Sequence, residues 1–362
     1  MRILSLGLDK SVLDRSSALA GRVIEYGGLA DQYFIIVPSA KKETIELSEK
    51  VKAHGSGGNN KLAQLIKIYF LAKKLLRQPG FDVITVQDQY FLALIGLRLA
   101  KKFKLGLEIQ VHGFEKLHGL RSQIAKYVLP RAQSLRCVSQ RLKKQLISDF
   151  GVAAEKITVV PIHSKLTINN YQLRIKESKN NFVFLTVGRL VPVKNIGLQI
   201  EALAELTKHY PKTELWIVGQ GPERKNYELL ITNYELAKNV KLLGWKGDVD
   251  SFYNQADAFV LTSNFEGWGM AVVEAASFGL PIIMTDVGIA GEVIKNGESG
   301  LIIPLGDKKK LVEVMIKLIE NARLRASLAE SAKLAVKQLP NKEQTLNLYK
   351  ASWQKAMPLK RD

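Results

Sequence analysis

Cysteine, long apolar runs and acidic charge in the first half are all scarce in this 362-residue chain. Cys137 is the single cysteine, so no disulfide can form within the chain, and a reducing compartment such as the cytoplasm is expected. Its apolar neighbours favour a buried, unreactive thiol. No segment approaches the roughly 18–20 apolar residues of a membrane span. The first residues also lack the apolar region and cleavage site of a secretory signal.

The chain contains few cysteine and histidine residues that could bind a metal, which argues against a metal centre. One cysteine and five scattered histidines form no zinc-binding set. The sequence Asp-Val-Asp at 248–250 could hold a metal ion, but it precedes a helical pattern, where acidic residues suit a helix start. We therefore interpret it as a helix start and expect neither a metal nor a cofactor.

Basic charge is concentrated in the first half of the chain. Residues 1–180 contain 30 Lys and Arg against 14 Asp and Glu, a net charge of +16, whereas residues 181–362 carry +3. An excess of this size favours an acidic partner, such as an anionic membrane surface, a nucleic acid or an anionic substrate.

Short apolar runs alternate with helical patterns along the whole chain, which indicates an α/β protein with parallel sheets. In the first half the pattern predicts strands over 3–6, 33–37, 83–86, 107–111, 135–138 and 157–160. Helices are predicted there over 16–27, 60–77, 91–103, 119–130 and 140–149. Ligands of such sheets bind beyond the carboxyl ends of the strands, so the loops that follow the strands are the candidate sites.

A polar segment at 165–181 reads as an inter-domain linker, after which the alternation starts again. Strands are predicted over 182–187, 213–218, 240–243, 258–261, 282–284 and 301–303. Helices are predicted over 195–209, 221–237, 249–255, 269–278, 290–295, 308–337 and 341–357. The length fits two domains of ordinary size.

Residues 264–281 combine a polar, glycine-bearing loop with an alanine-rich helical segment. Glu266 in the loop and Glu274 in the helix lie eight residues apart, with small residues between them. Little side-chain bulk would cover the first N–H groups of this helix, which carry its positive dipole end and suit a phosphate. Such amides, flanked by two carboxylates that can bind hydroxyls, indicate a ligand that is part phosphate and part sugar.

Two more loops follow predicted strands of the second half. The sequence Gly-Arg-Leu-Val-Pro-Val-Lys-Asn at 188–195 places Arg189 and Lys194 where they can neutralise a diphosphate. Asn195 is predicted to cap the next helix. The sequence Val-Gly-Gln-Gly-Pro at 218–222 has only the front part of a dinucleotide-binding fingerprint. In the first half, His112 follows a strand, where its ring can hydrogen-bond a phosphate or a sugar hydroxyl.

Taken in order, these pieces resemble glycosyltransferase family 4, whose members are retaining enzymes of the GT-B fold. The family pattern of two glutamates separated by seven residues is matched by Glu266 and Glu274. Other matches are Gly-Arg-Leu and Lys-Asn within 188–195, Val-Gly-x-Gly-Pro at 218–222, Leu-Gly at 243–244, Gly-Leu-Pro at 279–281 and Asn-Gly-Glu-Ser-Gly-Leu at 296–301. The resemblance is strong over roughly 180–307 and weaker over 1–165.

The resemblance implies two Rossmann-like parallel-sheet domains that face a central cleft. Residues 1–170 would form the acceptor-side domain and residues 171–340 the donor-binding domain. The C-terminal helix at 341–362 would pack back on the first domain.

The resemblance also assigns roles to individual residues. Arg189 and Lys194 would hold the donor diphosphate, Glu266 would contact the donor sugar, and Glu274 would bind the ribose hydroxyls. His112 matches the first-domain histidine that approaches the donor sugar. Catalytic roles are expected for Glu266, His112, Arg189 and Lys194. The expected donor-binding set is Gly188, Arg189, Lys194, Gly219, Gly244, Glu266, Gly267, Trp268, Gly269, Met270, Ala271 and Glu274.

The chain departs from the family pattern at two places on the acceptor side. The loop at 9–17 lacks the glycine-rich composition common in the family, and residues 161–165 replace an Asn-Gly-Val-Asp sequence. Arg15, Ser16 and Ser139 stand after first-half strands and are expected to face the acceptor. We expect a lipid-linked or polysaccharide acceptor and a basic half that lies on the anionic inner face of the cell membrane.

The predicted reaction is retaining transfer of a hexosyl group from a nucleotide sugar to an acceptor hydroxyl, without a metal. An alternative is an epimerase of the same fold, which would interconvert a nucleotide-linked N-acetylhexosamine without an acceptor. A remote alternative is a nucleic-acid-binding protein, given the net charge of +19. No nucleic-acid-binding module or aromatic-interleaved strand is recognisable, so no nucleic-acid partner is expected.

Overall fold

The computed structural model describes residues 1–114, 117–163 and 181–358. The chain divides into two compact units, one of Met1–Pro161 with Pro340–Asp362 and one of Ile162–Leu339. The linker predicted at 165–181 lies outside the described residues except for its last position. Among the residues described, no helix is long and apolar enough to cross a membrane.

The first unit is built on one twisted sheet with helices on its faces. Its strands are β1 (Arg2–Leu6), β2 (Gln32–Val37), β3 (Lys42–Glu46), β4 (Val51–Ser56), β5 (Val83–Val86), β6 (Gly106–Val111), β7 (Ser134–Cys137) and β8 (Ile157–Val159). Its first helices are α1 (Ala18–Gly27), α2 (Lys61–Leu75), α3 (Phe91–Phe103), α4 (Leu120–Val128) and α5 (Gln140–Phe150). The strand order is β3-β4-β2-β1-β5-β6-β7-β8, with parallel pairing everywhere except between β3 and β4.

The apolar runs of the first unit become its central strands because they are buried on both faces, as parallel strands covered by helices are. The six strands and five helices predicted from the pattern are confirmed to within a few residues at their ends. Two strands were missed, β3 and β4. Strand β3 lies at the sheet edge and alternates exposed and half-buried residues, and β4 contains a lysine, a histidine and a glycine. The expectation of a purely parallel sheet is wrong at this edge.

The second unit repeats the same architecture with a six-stranded parallel sheet. Its strands are β9 (Phe182–Val187), β10 (Thr213–Val218), β11 (Val240–Gly244), β12 (Ala258–Leu261), β13 (Ile282–Thr285) and β14 (Leu301–Ile303). Its helices are α6 (Ile196–Leu206), α7 (Arg224–Asn233), α8 (Asp250–Gln255), α9 (Met270–Ser277), α10 (Lys308–Glu320) and α11 (Ala322–Lys337). The order β11-β10-β9-β12-β13-β14 places β9 and β12 at the centre.

Two helix predictions in the second unit are wrong. Residues 290–295 form turns with an isolated bridge between Ala290 and Ile294, because Gly291 adopts a positive φ of 75°. The predicted helix at 308–337 is two helices, α10 and α11. They separate at Asn321, which is extended and whose side chain accepts a hydrogen bond from the Leu324 amide at 2.9 Å. The polar side chain therefore starts a new helix instead of continuing the old one.

The last helix, α12 (Lys342–Ala356), returns to the first unit. It begins with a capping box in which Asn341 and Gln344 satisfy each other's backbone amides. Trp353 is fully buried, with its ring 5.8 Å from that of Tyr33, and Tyr349 stacks on Tyr26 at 5.4 Å. The apolar face of α12 thus completes the core around β1 and β2.

A buried polar network also fixes α12. Glu108 on β6 is fully buried and accepts hydrogen bonds from Ser352 of α12 at 2.7 Å and from Thr85. The Nε atom of Arg136 lies 3.4 Å from the same carboxylate, and its guanidinium carbon lies 3.6 Å from the ring centre of Tyr349. A buried charge is tolerated only when it is paired and hydrogen-bonded. Residues of α12 and of the sheet together provide these partners for Glu108.

We predict that Gly106→Ala destabilises the first unit, because the new Cβ would lie 1.9 Å from the Ala356 carbonyl oxygen at the end of α12. The rigid backbone contact must open, so the free energy of unfolding should fall by at least about 2 kcal/mol. Gly21→Ala is the matched control. Position 21 lies inside α1 with no atom within 4 Å of a new Cβ, so this change should be neutral or stabilise by about 0.5–1 kcal/mol. Urea denaturation followed by circular dichroism measures both, and equal effects would contradict the prediction.

Candidate functional site

Three loops of the second unit meet beyond the carboxyl ends of β9, β10 and β11. The Gly188 amide donates to the Val218 carbonyl at 2.9 Å, and the Leu190 amide donates to the Gln220 carbonyl at 3.0 Å. The Gly219 amide donates to the Gly244 carbonyl at 2.8 Å. These bonds continue the ladder of the sheet into its loops, so Gly188, Gly219 and Gly244 belong to one rigid backbone surface.

This close approach depends on glycine at position 219. Gly219 has a φ of +145°, and a Cβ there would lie 1.8 Å from the Gly188 carbonyl oxygen. A Cβ at Gly221 would likewise lie 2.2 Å from the Leu190 carbonyl oxygen. The two glycines that form only half of a dinucleotide fingerprint are therefore required for loop-to-loop packing.

The loop that carries Lys194 is docked onto the loop after β12. The Thr262 hydroxyl donates to the Asn195 carbonyl at 2.9 Å, and the Asn264 amide donates to the Val193 carbonyl at 2.8 Å. Asn195 does occupy the N-cap position of α6, but its backbone is left-handed with a φ of 47° and its side chain makes no capping bond. The predicted N-cap position is confirmed, although the side chain of Asn195 does not bond to the backbone of α6.

Lys194 and Glu266 form an ion pair between the loops that follow β9 and β12. The Lys194 Nζ atom lies 2.5 Å from Glu266 Oε1, and the Ser263 hydroxyl donates to the same oxygen at 2.7 Å. Both side chains of the pair are largely buried. The structure thus brings together two residues that the sequence assigned separately to phosphate and sugar, and it adds Ser263, which the sequence analysis missed.

Arg189 differs from Lys194 in its surroundings. Its side chain is exposed, and among the described residues no carboxylate pairs with it. The guanidinium follows directly after Gly188, at the strand-end surface, so its donors are available to an anion.

The N-terminus of α9 supplies unpaired backbone amides. Gly269 is its N-cap, with a φ of +109° and no side-chain capping bond, and Met270 and Ala271 follow as the first helical residues. Trp268 is buried, so its indole does not reach the outer surface of this loop. Gly267 and Gly269 carry no side chain, so no side chain of theirs covers the first turn of α9, although Gly269 itself is buried.

Glu274 lies one turn into α9, on the same face as Met270. Its Oε2 atom accepts a hydrogen bond from the Tyr253 hydroxyl at 2.9 Å. Desolvation by burial raises the pKa of Glu274 above its ordinary value, and the bond from Tyr253 opposes that shift. The Tyr253 hydroxyl on α8 thus orients the carboxylate, and no hydrogen bond to its other oxygen is found within the part of the chain that the structure describes.

The loop after β13 was missed by the sequence analysis. Gly288 has a φ of +56°, and a Cβ there would lie 2.3 Å from the Trp268 carbonyl oxygen and 2.9 Å from the Glu266 Cβ. The Ile289 amide donates to the Trp268 carbonyl at 3.0 Å. This loop therefore supports the backbone of the Glu266 loop from behind. The sequence did contain a signal for this loop, because Thr-Asp-Val-Gly at 285–288 directly follows a predicted strand, where ligand sites are expected.

The first unit carries His112 directly after β6. The side chain reaches solvent, and neither ring nitrogen has a hydrogen-bond partner within the part of the chain that the structure describes. Desolvation by the surrounding protein, followed by the positive charges of Arg136 and Arg22, lowers the pKa of His112 to about 4. Both effects disfavour the imidazolium, which suits the ring to hydrogen bonding as a neutral group rather than to carrying a charge.

The three predicted acceptor-side residues have different surroundings. Arg15 and Ser16 are exposed in the loop before α1, where the Ser16 hydroxyl donates to Asp14 at 2.7 Å. Ser139 is fully buried, and its hydroxyl caps α5 by accepting from the Leu142 amide at 3.2 Å. Ser139 is thus used to start a helix, and its position gives no surface for an acceptor.

A cavity of about 560 Å³ lies in the first unit beyond the ends of β1 and β2. It is lined by Leu8, Asp9, Lys10, Pro38, Ser39, Ala40 and Gln64. The loops that follow β1 and β2 contribute six of these residues, in agreement with the rule that ligands bind beyond strand ends.

The Asp-Val-Asp sequence at 248–250 forms the start of a helix. The Asp250 amide donates to the Asp248 carboxylate at 3.0 Å, and Asp250 is the first residue of α8. Across residues 1–114, 117–163 and 181–358, no three histidine, cysteine or acidic side chains are grouped to hold a metal ion.

Comparisons with known proteins match both units. The family model described as "Glycosyl transferases group 1" matches residues 169–335, and the model "Glycosyltransferase Family 4" matches residues 29–162. The chain belongs to the family 4 glycosyltransferases. Its two parallel-sheet α/β units are those of the GT-B fold, as expected.

Individual relatives agree with this family. The chain is 28% identical over 289 residues to a UDP-Gal:alpha-D-GlcNAc-diphosphoundecaprenol alpha-1,3-galactosyltransferase of Escherichia coli, covering 72% of this chain and 71% of the relative. It is 21% identical over 342 residues to the alpha-monoglucosyldiacylglycerol synthase of Acholeplasma laidlawii, covering 85% of each. The HepE structure from Anabaena has the same fold, with a TM-score of 0.73 and 20% identity over 97% of this chain and 98% of HepE.

We predict that the imidazole of His112 in this glycosyltransferase stays neutral down to about pH 4. Its pKa lies below the ordinary 6.5, so the unfolded state takes up the proton first as the pH falls from about 6.5 to about 4. The stability contributed by the neutral ring is therefore complete above pH 6.5 and is lost through that window. NMR titration of the ring protons, assigned with His112→Gln, tests this. A midpoint near 6.5 would contradict it.

Proposed function

We propose that this glycosyltransferase moves a hexosyl group from a nucleoside-diphosphate sugar to an acceptor hydroxyl with retention of the anomeric configuration. The observation that carries the proposal is the Lys194–Glu266 ion pair beside the uncapped start of α9. It combines a cation, free amides and a carboxylate at one sheet edge. A sugar nucleotide needs donors for its phosphates and acceptors for its hydroxyls, and this surface offers both.

In the proposed reaction the bond between the sugar and the diphosphate breaks, and negative charge builds on the departing phosphate oxygens. Arg189, Lys194 and the first amides of α9 would stabilise that charge from fixed positions. Glu266 would hold the sugar, and Glu274 would hold the ribose hydroxyls through the oxygen that Tyr253 does not use. Attack from the same face as the leaving group, with the phosphate taking the acceptor's proton, would retain the configuration.

The acceptor is proposed to be a lipid-linked glycan or a polysaccharide of the cell envelope. Three relatives support this. The Escherichia coli galactosyltransferase acts on a diphosphoundecaprenol-linked sugar by its name, the Acholeplasma protein makes a glucosyldiacylglycerol, and CapM of Staphylococcus aureus serves capsular polysaccharide synthesis. Structures of HepE with UDP and with UDP-glucose support a nucleotide-sugar donor. None of these relatives is an epimerase by name, so the epimerase alternative is not favoured.

Arg189→Ala and Glu266→Ala should each lower kcat/KM for sugar transfer by about 10²-fold or more, because each removes a group aimed at the reacting sugar phosphate. Purified protein would be incubated with a panel of nucleotide sugars, and released nucleoside diphosphate would be measured with and without acceptor. Release of nucleoside diphosphate that depends on the acceptor would indicate transfer, because an epimerase needs no acceptor.

The matched controls are Arg323→Ala and Glu330→Ala, which remove an exposed cation and an exposed acid from α11 of the same unit. They should leave transfer within about two-fold of wild type, as surface changes usually do. Transfer should also survive EDTA, since the proposal needs no metal. If the site variants behaved like the controls, the assignment of the donor site would fail.

We further propose that the protein is peripheral at the inner, cytoplasmic face of the cell membrane. The first 180 residues carry a net charge of +16, and each basic residue near an anionic surface contributes about 1 kcal/mol of attraction. Wild-type protein should therefore sediment with vesicles that contain phosphatidylglycerol and remain in solution with purely phosphatidylcholine vesicles. Binding that ignores both lipid charge and salt would contradict the proposal.

A further inference from the structure

Helix α6 buries one polar side chain among apolar ones. Its buried residues are Ile196, Leu198, Gln199, Ile200, Ala202, Leu203 and Leu206. The Gln199 Oε1 atom is buried and has no hydrogen-bond partner among the described residues. A buried carbonyl without a partner costs stability, so the packing of α6 alone favours an apolar residue at this position. What glutamine provides here beyond packing is its NH2 group.

The NH2 group of Gln199 reaches the end of strand β12. Its Nε2 atom donates a hydrogen bond to Thr262 Oγ1 at 2.8 Å. The fully buried Thr262 hydroxyl in turn donates to the Asn195 carbonyl at 2.9 Å, and the Lys194 carbonyl lies 3.3 Å from the same hydroxyl oxygen. The direction of this hydrogen-bond chain is fixed, because a backbone carbonyl can only accept and the hydroxyl has a single proton to give.

The two loops that this hydrogen-bond chain joins carry the ion pair of the candidate site. Lys194 directly precedes Asn195, and Glu266 lies in the loop that Thr262 begins. Asn195 has a φ of 47°, a left-handed conformation that costs energy in a residue other than glycine. The bond to its carbonyl helps to hold this turn. The Thr262 hydroxyl thus fixes where the Lys194 backbone lies relative to the Glu266 loop.

A second hydrogen bond joins the same two loops, from the Asn264 amide to the Val193 carbonyl at 2.8 Å. With both bonds present the loops are held at two points, whereas with one bond they could turn about it. Loss of the Thr262 hydroxyl would therefore leave the loops attached but would free the relative position of Lys194 and Glu266. A misplacement of about 1 Å in a reacting group can lower a rate by about 10²-fold.

We propose that Gln199 and Thr262 are positioning residues for sugar transfer, which act through the backbone of Asn195 on the relative placement of Lys194 and Glu266. Gln199 orients the Thr262 hydroxyl, and that hydroxyl holds the loop. Both side chains are buried, so neither contacts the donor. The roles of Lys194 and Glu266 rest on the proposed function, whereas the hydrogen-bond chain itself does not.

The test measures kcat and KM for release of nucleoside diphosphate, using the nucleotide sugar that full-length wild type turns over fastest. Thr262→Val removes the hydroxyl at nearly constant volume. Its kcat should fall about ten-fold or more while KM changes less than about three-fold, because the phosphate donors remain but are no longer fixed. Thr262→Ser keeps the hydroxyl and should stay within about three-fold of the wild-type kcat. Gln199→Met leaves Thr262 intact and should lower kcat about three-fold or more, which keeps the test available if Thr262→Val does not fold.

Thermal melts separate positioning from a purely structural role. Thr262→Val leaves the Gln199 NH2 group buried, with only the Thr186 hydroxyl oxygen at 3.5 Å, so this variant should melt about 2–4 °C lower. Adding Gln199→Met removes the unpartnered group, and the double variant should regain most of the lost melting temperature. Its kcat should nevertheless remain as low as that of Thr262→Val alone. A purely structural role would restore both together.

A double-mutant cycle with Lys194→Ala shows whether the hydrogen-bond chain acts through the ion pair. In the Lys194→Ala background, Thr262→Val should lower kcat by less than about two-fold, because the group that it positions is already gone. Thr213→Val is the matched control. Thr213 is also buried, with 2% of its surface exposed, but it begins β10 and so lies at the end of the sheet away from the site. This control should keep kcat within about two-fold of wild type.

The proposal is overturned if Thr262→Val and Gln199→Met keep the wild-type kcat, or if Thr262→Ser is as slow as Thr262→Val. It is also overturned if kcat recovers with the melting temperature in the double variant, or if Thr262→Val costs as much kcat in the Lys194→Ala background as in wild type. In all these cases a slow Lys194→Ala variant would leave the proposed donor site standing. If Lys194→Ala turns over the donor like wild type, the donor site fails and this inference fails with it.

Discussion

The buried Glu108 carboxylate is the constraint on which the first unit depends. Removing a carboxylate from water costs roughly several kcal/mol unless hydrogen bonds and a nearby cation offset that cost. Here these partners come from β5, β7 and α12. Helix α12 joins this network from far along the chain, since Ser352 lies 244 residues beyond Glu108. The network also reaches the site, because β6 ends just before His112 and Arg136 is one of the charges that lower the pKa of His112. The C-terminal helix therefore helps set the electrostatics at the end of β6.

Most of the fold was predictable from the sequence because its central strands are buried on both faces and read as continuous apolar runs. The errors lie where that signal is absent. Edge strand β3 and its neighbour β4 contain charged and small residues, and their pairing is specified by neighbouring strands rather than by their own composition. The break at Asn321 is a capping event within a continuous helical pattern, so periodicity alone extended one helix through it.

The positions of the candidate site residues were predictable from the rule that parallel strands end at a common edge, but their contacts were not. Nothing in the spacing of Lys194 and Glu266 shows that they pair with each other, because they come from loops of different strands. For Ser139 the position after a strand was predicted correctly, but the role of its side chain was not. A serine after a strand can face a ligand or start the next helix, and only its burial and its bond to the Leu142 amide decide for the helix. Side-chain partners are a property of packing, which local sequence does not encode.

The pairing of Lys194 with Glu266 has a consequence for how a phosphate would be bound. Glu266 compensates the ammonium of Lys194, so among the described residues Arg189 and the first amides of α9 are the positive groups of the surface with no carboxylate partner. On the proposed reaction, an arriving diphosphate would meet Arg189 first, and Lys194 would have to exchange one carboxylate oxygen for a phosphate oxygen. The hydrogen bond from Ser263 to Glu266 could persist during that exchange, so the largely buried carboxylate would not be left unpaired. Glu266 would then be free to turn one oxygen toward a sugar hydroxyl, so release of the ion pair and engagement of the sugar would be one coupled step.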